Sequence, residues 1–135
     1  MEKKKKTVIW IVVIVILVGL LLLALLSSPK TSDVYTIKDQ DTIPQDRCVL
    51  IDKYAIIYQT GCPHCEKVLP RIQQVEQDLN LTFKHYNLAI KADFDKFTEI
   101  KMMPSGVPAV IINCKAYLGG GYSTEDFKNF VLASQ

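Results

Sequence analysis

The chain has 135 residues, 49% hydrophobic and 22% charged, with a formal net charge of +2 and four cysteines. That length holds one compact domain plus an accessory segment. Of the 16 basic and 14 acidic residues, setting aside Glu2 and Lys3 to Lys6 leaves 12 against 13, so no basic surface argues for nucleic acid as a partner.

Lys3 to Lys6 form a basic block, and Val8 to Leu26 is a 19-residue apolar run without a charge. A helix of about 20 apolar residues spans a bilayer. The positive-inside rule then places the lysines in the cytoplasm and the rest of the chain outside, anchored to the lipid bilayer through Val8–Leu26. A cleaved secretory signal is the competing reading. Such signals have shorter apolar cores, about 7 to 15 residues, and end in a small-x-small site, of which Ala24-Leu25-Leu26-Ser27-Ser28 is a poor version. Residues 1–27 therefore read as cytoplasmic block and anchor, and either reading sends the remainder out of the cytoplasm.

Residues 28–47 are polar, with Pro29 and Pro44 as breakers, and read as an extracytoplasmic linker, although Val34, Tyr35 and Ile37 can add a short edge strand. The folded domain is expected over 48–135, starting at Cys48-Val49-Leu50-Ile51. Asp52-Lys53 reads as a turn, and the apolar run from Tyr54 to Gln59 as a buried strand. Val68, Ile72, Val75 and Leu79 recur at helical spacing, which predicts a helix from near Cys62 to Leu79 with Glu66, Lys67, Arg71, Gln74 and Asp78 on its wet side.

Cys62-Pro63-His64-Cys65 thus falls at a strand-to-helix corner. The first turn of a helix offers unpaired N–H groups and the positive end of its dipole, both of which stabilise a thiolate. Cys62 is the expected reactive sulfur. Pro63, at the first helical position, has no N–H to lose and presets the helical φ. His64 is expected to add positive charge or a donor beside Cys62 and lower its pKa further. Each unit below ambient pH is worth roughly 1.4 kcal/mol, or about 30 mV for a two-electron couple, in favour of the reduced form. A strongly lowered pKa would make the pair an oxidant.

Leu81 to Leu88 predicts a strand, with Thr82, Lys84 and Tyr86 opposing Phe83 and His85. Ala92 to Ile100 predicts a short helix with Phe94, Phe97 and Ile100 inside. Ala109–Ile112 and Ala116–Leu118 flank Asn113-Cys114-Lys115 as a hairpin. Ser123-Thr124-Glu125-Asp126 has the form of a capping box opening a last helix with Phe127, Phe130 and Val131 inside. The order is β-α-β-α-β-β-α, an α/β class.

On Cys62-Pro63-His64-Cys65, Pro70 five residues on, and Gly106-Val107-Pro108-Ala109-Val110-Ile111-Ile112-Asn113, the segment from about Tyr54 to Gln135 resembles the thioredoxin superfamily. The tetrapeptide is the one carried by DsbA-type periplasmic oxidases. The resemblance implies a thioredoxin-like fold with a central mixed four-stranded sheet and a cis Pro108 packed against Cys62 and Cys65. It also implies a peptide-binding role for the Val107 backbone. Gly119-Gly120-Gly121 resembles the glycines near which glutathione binds in glutaredoxins. The favoured reading is that these glycines supply positive φ between strand and helix, since two-cysteine glutaredoxins usually carry tyrosine where His64 stands.

Cys114 lies in a turn where glycine or asparagine is the low-strain choice. Four cysteines outside the cytoplasm make an even number, so a structural Cys48–Cys114 disulfide is expected, worth about 4 kcal/mol on chain entropy. The alternatives are a relay pair exchanging with Cys62–Cys65, two free thiols, or zinc ligands together with the motif. His85, in a strand, reads as an ordinary packed or surface residue. No metal, nucleotide or flavin motif is present, so the redox carrier is expected to be the cysteine pair itself, without cofactor or metal.

These features predict an extracytoplasmic thiol–disulfide oxidoreductase that donates disulfides to secreted or surface proteins. Its expected electron acceptor, by resemblance to oxidative folding systems, is a quinone-linked membrane protein of the DsbB or vitamin K epoxide reductase type. A reductase or isomerase is the runner-up; a zinc-binding or redox-inert interaction module is the alternative of another class.

Overall fold

The computed structural model describes residues 2–26 and 33–135, and the chain divides into two compact units, the second of which is Asp33–Gln135. Most of the first part of the expected linker, and Ser27-Ser28 of the cleavage-site reading, lie outside the described residues. The first unit contains helix α1, Glu2–Leu26. Its Lys6–Leu23 window has a mean hydropathy of 2.9 and none of it is buried. By length and composition this one helix among the described residues is able to cross a membrane.

In the second unit the chain forms β1 (Tyr35–Ile37), α2 (Gln45–Cys48), β2 (Tyr54–Tyr58), α3 (Pro63–Leu79), β3 (Lys84–Asn87), α4 (Lys91–Glu99), β4 (Met102–Pro104), β5 (Ala109–Ile112), β6 (Lys115–Leu118) and α5 (Thr124–Ala133). The main sheet runs β3-β2-β5-β6. β2 is parallel to β3 and antiparallel to β5, and β5 is antiparallel to β6. This is the mixed four-stranded α/β sheet that the sequence predicts, with β1, α2 and β4 as additions.

Alternation of side chains along the strands divides the core into two layers. One face carries Ile56, Val110, Ile112 and Tyr117, packed with Phe83 under Val68, Ile72 and Val75 of α3 and Phe127 and Val131 of α5. The other carries Ala55, Ile57, Ala109, Ile111 and Ala116, packed with Tyr86 under Phe97 of α4 and Met102 of β4. Phe130 completes the first layer by stacking on Tyr117, centroids 4.0 Å apart.

Residues 33–47, expected to be linker, belong to this second layer. Ile37 is 0% exposed and Ile43 2%. β1 pairs in parallel with β4, Tyr35 opposite Met102. Beyond β1 the chain lies along the β6 edge: Ala116 N donates to Asp41 O at 2.9 Å and Ile43 N to Cys114 O at 2.7 Å. Asp39 Oδ1 accepts from Leu118 N at 2.8 Å. Few apolar residues mark the segment because its hold on the sheet is mostly main-chain hydrogen bonding. The folded unit begins at Asp33, not at Cys48, and at the expected start Val49 and Leu50 are exposed.

Three smaller expectations also change. The strand expected over Leu81–Leu88 is confined to Lys84–Asn87, and Tyr86 on its expected polar side is buried, edge-on to Phe97. Phe94, expected inside, lies 46% exposed, and Phe97 is the residue that α4 buries. Arg71 turns inward, as described below. The capping box is present as read, Asp126 N donating to Ser123 Oγ at 3.1 Å and Ser123 N to Asp126 Oδ2 at 2.7 Å.

Candidate active site

The corner between β2 and α3 is built by a tight turn over Gln59–Cys62. Cys62 N donates to Gln59 O at 3.2 Å, and Gly61, third in the turn, has φ +81°. A positive φ at that position is what a type II turn requires and glycine supplies. Cys62 is then the N-cap of α3 and Pro63 its first residue. Instead of an oxygen, the cap is a sulfur: Cys65 N donates to Cys62 Sγ at 3.2 Å. The residue the sequence marks as reactive therefore takes one of the unpaired N–H groups of the helix start.

The two motif cysteines, both free thiols, have different surroundings. Cys62 is half-buried, whereas Cys65 is 1% exposed beneath it. Burial, and then the hydrogen bond with Cys62, push the Cys65 thiol up to about 11. Cys62 is the sulfur a substrate can reach, and Cys65 stays protonated at neutral pH.

The loop before β5 reaches this corner. Cys62 Sγ donates to Val107 O at 3.7 Å, and the Val107–Pro108 peptide is cis with Pro108 buried. Residues 45 positions apart thus meet at one place. Val107 is half-buried, so part of it faces solvent beside Cys62.

His64 lies differently from its expected place. It is exposed, and no hydrogen bond joins it to Cys62 among the described residues. Its imidazole packs on the glycine loop instead: a β-carbon at Gly120 would stand 3.1 Å from His64 Nδ1. That loop is held by Arg71, whose Nη1 donates to Gly120 O at 2.9 Å and Tyr122 O at 2.6 Å. Of the three glycines only Gly119 needs positive φ, at +90°; a β-carbon at Gly120 would have His64 give way by a few tenths of an ångström.

Cys48 and Cys114 are joined as a disulfide, Cα atoms 5.4 Å apart. Cys114 and Asn113 make the two-residue hairpin turn with φ of +70° and +46°. The bond lies at the other end of the sheet from Cys62. Tyr54, the start of β2, is opposite Ile112 beside the turn, and Cys62 follows the end of β2. The five residues of β2 span about 17 Å at strand rise. Direct exchange with Cys62–Cys65, or a shared zinc site, does not fit that separation. His85 packs edge-on against Tyr58, with Nε2 3.7 Å from Glu76 Oε1.

Asn87, Thr60 and Arg71 are functional residues that the sequence reading does not single out. For Asn87 the one signal is its place at the end of β3, opposite Tyr58 at the end of β2 that leads to Cys62.

No protein-family model matches the sequence, and no curated protein matches it. Among solved structures the chain is similar to the crystal structure of the J-Trx1 fragment of ERdj5, with a TM-score of 0.45 and 14% identity over 73% of this chain. The chain spans about half the length of that structure, 50% of it.

Proposed function

We propose that the chain is a membrane-tethered thiol–disulfide oxidoreductase of thioredoxin-like fold that works outside the cytoplasm and donates disulfides through Cys62 and Cys65. The observation that carries this reading is the pairing of a reachable Cys62 sulfur on the first turn of α3 with a buried Cys65 one turn behind it, beside the Val107–Pro108 loop. The order β3-β2-β5-β6 supports the fold assignment.

In the oxidising direction, a substrate thiolate attacks Cys62 of the Cys62–Cys65 disulfide. A substrate–Cys62 bond forms, the Cys62–Cys65 bond breaks, and Cys65 leaves and takes up a proton, as a thiol pushed up to about 11 does at neutral pH. A second substrate thiolate then attacks the substrate sulfur of the mixed disulfide and expels Cys62. The substrate has lost two electrons and two protons, and the cysteine pair has gained them. Reoxidation is assigned to a quinone-linked membrane protein of the DsbB or vitamin K epoxide reductase type, in the same bilayer as α1.

Val107 and Pro108 are assigned to substrate binding, the Val107 main chain pairing with an extended segment of a secreted or surface protein. Pro63 starts the helix and His64 borders the site. Cys48–Cys114 is assigned a structural role. The choice of oxidation over reduction or isomerisation rests on Cys-Pro-His-Cys.

The test is to mix the oxidised full-length protein in detergent with a reduced dithiol peptide. Stoichiometric peptide disulfide with loss of the Cys62–Cys65 bond supports the reading. Absence of exchange, together with zinc bound to the purified protein, would replace it with a zinc-binding module.

A further inference from the structure

Asn87, at the end of β3, is the buried polar side chain among the described residues, 9% exposed. Every polar atom of its amide is used. Oδ1 accepts from Thr60 N at 3.2 Å and Ala89 N at 3.1 Å, and Nδ2 donates to Thr60 Oγ1 at 2.7 Å. Its own backbone N donates to Asp93 Oδ2 in the first turn of α4 at 2.8 Å. β3 is in turn paired with β2 through Leu88 N to Tyr58 O at 2.8 Å.

Thr60 is the second residue of the turn whose fourth residue is Cys62. Its side chain is exposed and the residue after it is a glycine at φ +81°, the least restrained residue available. Without a second anchor the Thr60–Gly61 peptide is held only by the Cys62 N to Gln59 O bond. Two bonds from one buried amide fix both the main chain and the hydroxyl of Thr60. The Cys65 N–H meets Cys62 Sγ at 3.2 Å only while the turn holds the sulfur over the first turn of α3.

We propose that Asn87 is a positioning residue for Cys62, acting through Thr60: it locks the turn that keeps the sulfur on the Cys65 N–H. The assignment rests on the thiol–disulfide reading of Cys62 but is tested separately from it.

The full-length protein in detergent is compared with Asn87→Ala, Thr60→Val, Thr60→Ser and the Asn87→Ala/Thr60→Val double variant. Thr60→Val keeps the size of an exposed side chain, so folding is not at stake if Asn87→Ala fails to fold. Two readouts are used: the rate of Cys62 alkylation by iodoacetamide at pH 7, and the equilibrium constant of Cys62–Cys65 with glutathione. Asn87→Ala and Thr60→Val slow alkylation by about three- to tenfold, the worth of one hydrogen bond. They shift the equilibrium toward the disulfide, a tenfold change being about 30 mV. Thr60→Ser restores both values, and the double variant is no worse than Asn87→Ala, because the two residues act as one unit. Unchanged alkylation and equilibrium in Thr60→Val, or a loss of stability alone in Asn87→Ala, would overturn the proposal. A wild-type protein that fails to oxidise a dithiol peptide would overturn the oxidoreductase reading and leave these two readouts intact.

Discussion

The backbone N–H of Cys65 meets the Sγ of Cys62 at 3.2 Å, so the two cysteines are in contact across one helical turn while both are thiols. The roles divide by exposure: Cys62→Ser abolishes exchange with a dithiol peptide. Cys65→Ser instead accumulates a mixed disulfide between Cys62 and glutathione, since no second thiol resolves it. Intact-mass spectrometry of each variant after incubation with oxidised glutathione distinguishes the two, and a Cys65 adduct in Cys62→Ser would contradict the assignment.

Burial raises the Cys65 thiol from 9.0 to about 11. A group whose folded pKa is raised binds its proton more tightly in the native state, so its contribution is complete below pH 9 and is lost as pH rises toward 11. Two units correspond to about 2–3 kcal/mol. Tyr117 and Tyr122 are also raised by burial and add losses of the same sign at high pH. Urea unfolding of the reduced protein between pH 8 and 11 should therefore fall more steeply than that of Cys65→Ala. Parallel curves would mean that Cys65 is not buried as a thiol.

Arg71 fastens α3 to the loop before α5 with two charge-assisted bonds to main-chain carbonyls, and α3 is fastened to α5 again by Lys128 on Asp78. Arg71→Met keeps the apolar stem and leaves both carbonyls without that donor. A loss of about 1.5–3 kcal/mol in urea unfolding is expected. Gly120→Ala, which brings a methyl to 3.1 Å from His64 Nδ1, should move the His64 side chain. The His64 ring resonances in an NMR spectrum check this, and unchanged shifts would contradict the packing.

The Cys48–Cys114 bond closes a loop with a sequence separation of 66, worth about 4 kcal/mol by chain entropy. Cys48→Ala/Cys114→Ala should lower unfolding free energy by about that amount and leave dithiol-peptide oxidation in place. Cys114 at φ +70° adds a local term. In a Cys48→Ala background, Cys114→Gly should be more stable than Cys114→Ala by about 1–2 kcal/mol, the cost of a β-carbon in the left-handed region. Equal stability of the two would remove the strain argument for this turn.

The elements around Cys62 were legible because each had a local cause: the apolar run of β2, Pro63 at the helix start, the spacing of Val68, Ile72 and Val75, and Ser123 with Asp126. What escaped was tertiary. Ile37 and Ile43 are single apolar residues in a polar stretch, and only the sheet face they cover shows that they are core. Arg71 occupies a position that periodicity assigns to solvent, but the carbonyls of Gly120 and Tyr122 draw it in. Asn87 looks like an ordinary strand end until β2 and β3 are paired and Thr60 stands beside it. His64 stands between the motif cysteines in sequence, whereas its neighbour in space is Gly120.

Whether Cys62 and Cys65 act as a disulfide donor is decided by the reduction potential of the pair. The full-length protein in detergent is equilibrated against glutathione buffers, and the state of the pair is read by differential alkylation and mass spectrometry with Cys48–Cys114 left intact. A value near about −120 mV is predicted. A value near about −270 mV would contradict the account and make the protein a reductant.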